Sequence, residues 1–336
     1  MKPNDFAKNL TSFFSSYLPG VKNLSGNTIL SYRDTFRLLL VFCRDVRGIS
    51  PEKLTFKSFD GELIISFLSW LQNERNCSIA TRNQRLVAVH AFFRYVQAQE
   101  PAQFQLCQQI IEIPCKKYQQ PIIQHLTSEQ TKILLASPDS STASGRRDMT
   151  LLSVLYDTGA RVQELCDLRV RDIRLDHPGV ITLTGKGRKT RHVPMMGNTV
   201  NLLRLYMQEN RFLQNANPDS PLFFNQRHAK LTRGGVSHIL QKYAVALSKE
   251  YPDMPPALTP HQLRHSKAMH LYQSGVNLVY IRDILGHVDI ATTDIYARAD
   301  TESKRKALEN VYPDITPEPF PDWNRDQNLL GFLNSF

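Results

Sequence analysis

VITLTGKGRKTRHVP, residues 180–194, is the stretch whose reading decides the fold class. Val180 to Thr184 is rich in β-branched side chains, which fit a pleated surface better than a helix, and it reads as a strand. Gly185-Lys186-Gly187 supplies a turn, and Thr190 to Pro194 returns as the next strand. On both sides of this hairpin the apolar spacing is helical. Upstream, Asp148 to Tyr156 is an apolar helix ending near Thr158-Gly159, and Val162 to Leu168 is a shorter one. Downstream, the pattern is mostly helical from about 198 to about 310. The expectation is a mainly α chain with a small antiparallel sheet, the hairpin lying in an α+β domain.

Nearer the N-terminus no strand-like alternation occurs. Residues 6–18 place Phe6, Leu10, Phe13, Phe14 and Tyr17 near helical spacing, and Asn27 or Thr28 can cap a second helix. A third helix is predicted over about 60–74. A fourth follows Ser78, with Leu86, Val89, Phe92, Phe93 and Val96 on its apolar face and Arg82, Asn83, Arg85 and His90 on the other. Four such helices make a small bundle. EIPCKKYQQPIIQHL, residues 112–126, has two prolines, two lysines and no period, and reads as a linker. Thr127 to Gln130 then opens a new helix as a capping box. These breaks divide the chain into a helical domain over 1–111, a linker over 112–126, a second domain over 127–312 and a tail over 313–336. The tail ends in an apolar patch, Leu329, Leu330, Phe332 and Leu333, suited to a partner's groove or to folding back on its own domain.

With 336 residues the chain is long enough for two cores. Lacking a run of about 18 apolar residues, it is not expected to span a membrane. MKPNDFAKNL has no basic-then-apolar leader pattern, so a cytoplasmic protein is expected. Cys43, Cys77, Cys107, Cys115 and Cys166 are scattered and odd in number, against a disulfide framework or a zinc ribbon. The net charge of +10 favours a polyanionic partner, of which nucleic acid is the commonest.

Chemistry-bearing residues fall in four clusters of the second domain: TGARVQEL at 158–165, TGKGRKTRHVP at 184–194, TPHQLRHS at 259–266 and LGHVDIATTDIY at 285–296. Arg161 and Arg264 present planar forks of N–H donors suited to phosphate oxygens. His261 and Arg264, three apart on one helix that Thr259 and Pro260 begin, can reach one phosphate together. His261 and His265 also stand at the i, i+4 spacing of some zinc sites, but Gln262 occupies the place of the required glutamate, and no metal is expected.

Taken in order, the four clusters resemble the tyrosine recombinase (phage integrase) family. The resemblance spans about 127–310, and the family signature has an arginine after a Thr-Gly turn, a hairpin lysine, His-x-x-Arg, Leu-Gly-His, and a tyrosine nine residues later. All are present, as Arg161, Lys186, His261, Arg264, His287 and Tyr296. The ordered set is specific where each element alone is not. The resemblance implies that the helical domain is a core-binding DNA clamp and that Tyr296 attacks a DNA phosphate. It implies that Lys186 protonates the leaving 5′-oxygen, with Lys189 as the rival in the same loop. It makes His261 the candidate base and gives His287 a hydrogen bond to the transferred phosphate. A 3′-phosphotyrosyl ester would store the phosphodiester energy, so rejoining would need no cofactor. The family acts as a homotetramer on two duplexes through a Holliday junction and passes its C-terminal segment between protomers. Expected partners are therefore double-stranded DNA with recombination sites and further copies of this chain. Arg82, Arg85, Lys116, Lys117 and Lys189 are candidates for further DNA contacts, conferring affinity without sequence choice. The same chemistry also suits a topoisomerase-like enzyme, and a non-catalytic DNA-binding module is the alternative from another class. A mobile element is the expected use, and resolution of chromosome or plasmid dimers the alternative.

Overall fold

The computed structural model describes residues 4–118, 124–185, 187, 189–215, 217–287, 289, 291–299, 331, 333 and 334. It divides into two compact units, Met1–Pro121 and Ile122–Phe336. In the first, α1 (Asp5–Ser12) starts at Asn4, whose side chain accepts the Ala7 N–H at 2.7 Å, and continues into a wider-wound π segment, Phe13–Val21. Then come α2 (Gly26–Asp45), α3 (Gly61–Asn73), α4 (Ile79–Gln99) and α5 (Phe104–Ile111). Ser25, not Asn27 or Thr28, caps α2, because its extended backbone lets the hydroxyl accept the Thr28 N–H. Asp60 and Ser78 cap α3 and α4 in the same way. Aromatic rings knit the core edge to face, with Phe92 5.3 Å from Phe13 and 5.1 Å from Phe36.

The fifth helix escapes the sequence pattern because its buried residues, Cys107 and Ile110, make too short a stripe. It changes the polar side of α4, where Arg82 and His90 are only 5% and 7% exposed. The His90 ring donates to the Ile110 backbone carbonyl of α5, and the chain after α5 binds Asn83, which accepts from the Lys116 N–H at 3.1 Å. That face is therefore an internal seam along much of its length.

In the second unit, the Thr127 hydroxyl accepts the Gln130 N–H while the Gln130 side chain accepts the Thr127 N–H, opening α6 (Ser128–Ala136). Next follow α7 (Ala143–Thr158) and α8 (Val162–Asp167). Three antiparallel strands come next: β1 (Ile173–Arg174), β2 (Val180–Thr184) and β3 (Thr190–Pro194), in that order across the sheet. The hairpin pairs Thr184 with Thr190 and Ile181 with Val193, and the Gly185 N–H donates to the Lys189 carbonyl at 2.8 Å to close the turn. Ile181, Leu183 and Val193 point into the core, which is why the register is fixed. α9 (Gly197–Glu209), α10 (Phe212–Asn215), α11 (Arg233–Glu250), α12 (Pro260–Gln273), α13 (Leu278–Leu285) and α14 (Ala291–Ala299) complete the described chain. Among the described residues, no helix is long and apolar enough to cross a membrane. The expected apolar tail lies almost wholly outside the described residues.

Candidate active site

The end of α13 organises the site. A helix leaves its last carbonyls without partners, and here three successive ones accept from three different arginines. Arg191 Nε donates to Ile284 at 2.8 Å, Arg264 Nη2 to Leu285 at 2.7 Å and Arg161 Nη2 to Gly286 at 3.1 Å. Gly286 itself turns the chain in the left-handed region, at φ 64°, and delivers His287 beside them. Arg264 is further pinned by the Gly159 carbonyl at 2.6 Å, itself at a left-handed turn that ends α7.

Glu164 is the counterweight. It is 4% exposed and accepts from Arg161 Nη1 at 2.9 Å and from both ends of the Arg191 fork at 3.0 and 2.7 Å. Burial pushes its carboxyl up, but the bonds from Arg191 and from the Arg161 backbone and side chain outweigh it and hold the group at about 2. Three guanidinium groups face one carboxylate here, so a positive surplus remains for a bound anion. An open cleft of about 550 Å³ adjoins them, lined by Arg161, Lys189, Arg191, Arg282, Gly286 and His287. Arg161 keeps 41% of its side chain exposed, so part of its fork faces solvent.

Tyr296, on α14, is 1% exposed and stands with its hydroxyl 2.8 Å from His265 Nδ1. Its ring lies parallel to His287 at 6.5 Å, and His287 Nδ1 is tied to the Thr293 hydroxyl at 2.9 Å. The rings of His261 and His265 meet edge to face at 4.3 Å. Burial, with Arg264 in partial opposition, pushes the tyrosine up to about 12. Burial and the nearby positive charges push His265 and His287 down to about 4 and lower His261 as well. Burial, then Arg161, brings Arg264 down to about 10, still well above neutral pH.

Five of the six residues singled out in the sequence, Arg161, His261, Arg264, His287 and Tyr296, thus belong to one cluster, although three separate stretches supply them. Lys186 lies outside the described residues. Lys189 is exposed at the mouth of the cleft. In the other unit, Arg82 is buried against Asn83, Arg85 donates to the Ser31 carbonyl and the Thr35 hydroxyl, and Lys116 Nζ donates to Gln72. Lys117 is exposed. Glu164, Arg191 and His265 are site residues that the motif reading passes over. A signal for Glu164 existed in its spacing of three from Arg161. His270 takes a structural part, bonded to the Tyr156 hydroxyl and the Leu126 carbonyl. Among the described residues, no group of three or more His, Cys, Asp or Glu is placed to hold a metal ion.

Residues 124–303 match the model of the phage integrase family, which is more than half of the chain. This chain belongs to the phage integrase family. Residues 10–102 match that family's N-terminal SAM-like domain. The y4rC protein of Sinorhizobium fredii, which carries an integrase/recombinase name, is 36% identical over 97% of this family member and 97% of its own length. Tyrosine recombinase XerC of Bacillus subtilis is 30% identical over 93% of the chain and 98% of its own length. The integrase of transposon Tn1549, solved with transposon right end DNA, shares the fold at a TM-score of 0.69 and 18% identity, over 90% of this chain and 99% of that one. The mainly helical class with its small antiparallel sheet is that of the family.

Proposed function

We propose that this family member is a site-specific recombinase that cleaves and rejoins duplex DNA through a 3′-phosphotyrosyl intermediate and a Holliday junction. One observation carries the reading: segments more than a hundred residues apart in sequence converge on a tyrosine beside a surplus of arginine charge. In this reading the scissile phosphate lies in the cleft, with Arg161 and Arg264 neutralising its non-bridging oxygens. Tyr296 Oη attacks phosphorus, its proton passes to a base, for which His261 is the candidate, and the 5′-oxygen leaves with a proton from Lys186. His287 holds the transferred phosphate. Attack by the free 5′-hydroxyl of a partner strand reverses these steps and restores Tyr296, so neither nucleotide hydrolysis nor a metal is called for. Lys189, at the cleft mouth, is the second candidate for the proton donor.

Double-stranded DNA bearing recombination sites is the substrate, and four copies act on two duplexes, with the tail docking in trans. The basic surplus and the DNA-bound relatives of the same fold support a DNA partner. Residues 1–111 form the clamp domain, 112–126 the linker, 127–312 the catalytic domain and 313–336 the tail. Of the secondary DNA contacts expected at Arg82, Arg85, Lys116 and Lys117, we retain exposed Lys117 first, because Arg82 is 5% exposed and Arg85 and Lys116 bond within their own unit. The use we assign is the movement of a mobile element, with resolution of chromosome or plasmid dimers as the alternative.

Incubation with a nicked duplex site tests the chemistry. Wild-type protein should form a covalent adduct, in EDTA as in its absence. Tyr296→Phe should bind the site and form none. Adducts persisting in the phenylalanine variant would remove Tyr296 from its role, and loss in EDTA with recovery on added zinc would replace the mechanism.

A further inference from the structure

The candidate base His261 is not the histidine bonded to the nucleophile. His265, one helical turn further along α12 and next to Arg264, places Nδ1 2.8 Å from Tyr296 Oη. We propose that His265 is a positioning residue, whose Nδ1 fixes the direction of the Tyr296 hydroxyl for attack. This rests on the reading of Tyr296 as the nucleophile.

Packing orients the tyrosine ring but leaves the hydroxyl free to rotate about its bond to the ring. Tyr296 is fully buried, with His287 parallel to it at 6.5 Å and the aliphatic residues Ile281 and Leu285 in the same cluster. One polar partner at hydrogen-bond distance is what selects a single hydroxyl direction. His265 is itself well held: its ring meets His261 at 4.3 Å and Tyr296 at 5.6 Å, and it is half-buried.

The proton balance favours orientation over deprotonation. Burial, His261 and Arg264 hold His265 at about 4, whereas burial holds Tyr296 at about 12. An imidazole so reluctant to take a proton is a poor acceptor for one from so weak an acid. It is neutral throughout the physiological range, so it orients the phenol without adding charge to a crowded cationic site. His261, more exposed and shifted less, stays available for the proton.

The geometry selects the test. Nδ1 lies on the near side of the imidazole, at a distance from Cα that the Asn amide also reaches, whereas a Gln amide reaches the Nε2 position. The variants His265→Ala, His265→Asn and His265→Gln are compared in the full chain on a nicked site, under single turnover, beside Tyr296→Phe. Loss of one orienting hydrogen bond should slow adduct formation about 10-fold in the alanine and glutamine variants. The asparagine variant should come within about threefold of wild type, and all should bind DNA within about twofold. Wild-type rates for the alanine variant would overturn the proposal, as would an asparagine variant no faster than glutamine. If alanine prevents folding, the asparagine–glutamine comparison decides alone. Adducts in Tyr296→Phe would instead defeat the nucleophile assignment, whereas their absence beside a fast His265→Ala defeats only the positioning role.

Discussion

At the scale of single residues, the site turns on Glu164. A carboxylate this buried is tolerable only because two arginines and a backbone N–H satisfy it, and removing its charge leaves Arg161 and Arg191 without their counterweight. Glu164→Gln keeps the shape and should destabilise the catalytic unit by about 2–3 kcal/mol, below the usual cost for a buried pair because Arg161 is partly solvated. Urea unfolding measures this, and an unchanged midpoint would show that the network adds nothing to stability. The sign of the pH dependence follows from the depressed carboxyl. Its contribution is present above about 4.5 and is lost as pH falls toward about 2, so the variant should differ from wild type at neutral pH and converge with it in acid. Arg161, His261, Arg264, His287 and Tyr296 were legible in the sequence because each sits in a short local motif. Glu164 left only its spacing of three from Arg161, and Arg191 and His265 left no signal, because their roles depend on partners distant in sequence: 27 residues separate Arg191 from Glu164, and 31 separate His265 from Tyr296.

At the scale of elements, the C-terminus of α13 sets the spacing of the arginines, and Gly286 is where that arrangement is most exposed to change. A Cβ there would stand 2.8 Å from Arg191 Nη1 and 3.0 Å from its Cδ, in a left-handed conformation that already disfavours a side chain. Gly275, at φ 80°, has the same backbone strain and nothing within 4 Å of its added Cβ. Gly275→Ala should therefore cost only about 1 kcal/mol, and Gly286→Ala should cost more and also slow adduct formation, because Arg191 must leave the Ile284 carbonyl. Equal effects on unfolding and on cleavage for the two variants would sink this account. The hairpin, the helices about it and the Thr127 capping box were readable because their patterns are local. The two-residue strand β1 and the short helix α5 were not, since neither is long enough to show a period, and each is held by its neighbours: β1 by its pairing of Ile173 with Ile181, α5 by the seam with α4.

At the scale of the whole molecule, the basic surplus and the apolar tail make separable demands. Attraction to a single duplex scales with the positive charges that meet phosphates and weakens as salt screens them. Residues 321–336 contain Asp322, Asp326 and one arginine, Arg325, so deleting them leaves the chain no less basic. Binding to one site should accordingly survive the deletion within about twofold, with the same dependence on salt. What the deletion does remove is Leu329, Leu330, Phe332 and Leu333, of which Leu333 is 58% exposed. Burial of about four such side chains against another protomer would contribute several kcal/mol to each contact, at about 1.5–3 kcal/mol apiece before ordering costs. Complexes containing two duplexes should then be weakened by about 10-fold or more in the deleted chain, a change that gel mobility and sedimentation resolve separately from single-site binding. If two-duplex assembly is unchanged while the catalytic unit unfolds at a lower urea concentration, the patch packs on its own protomer, and other surfaces must hold the assembly together.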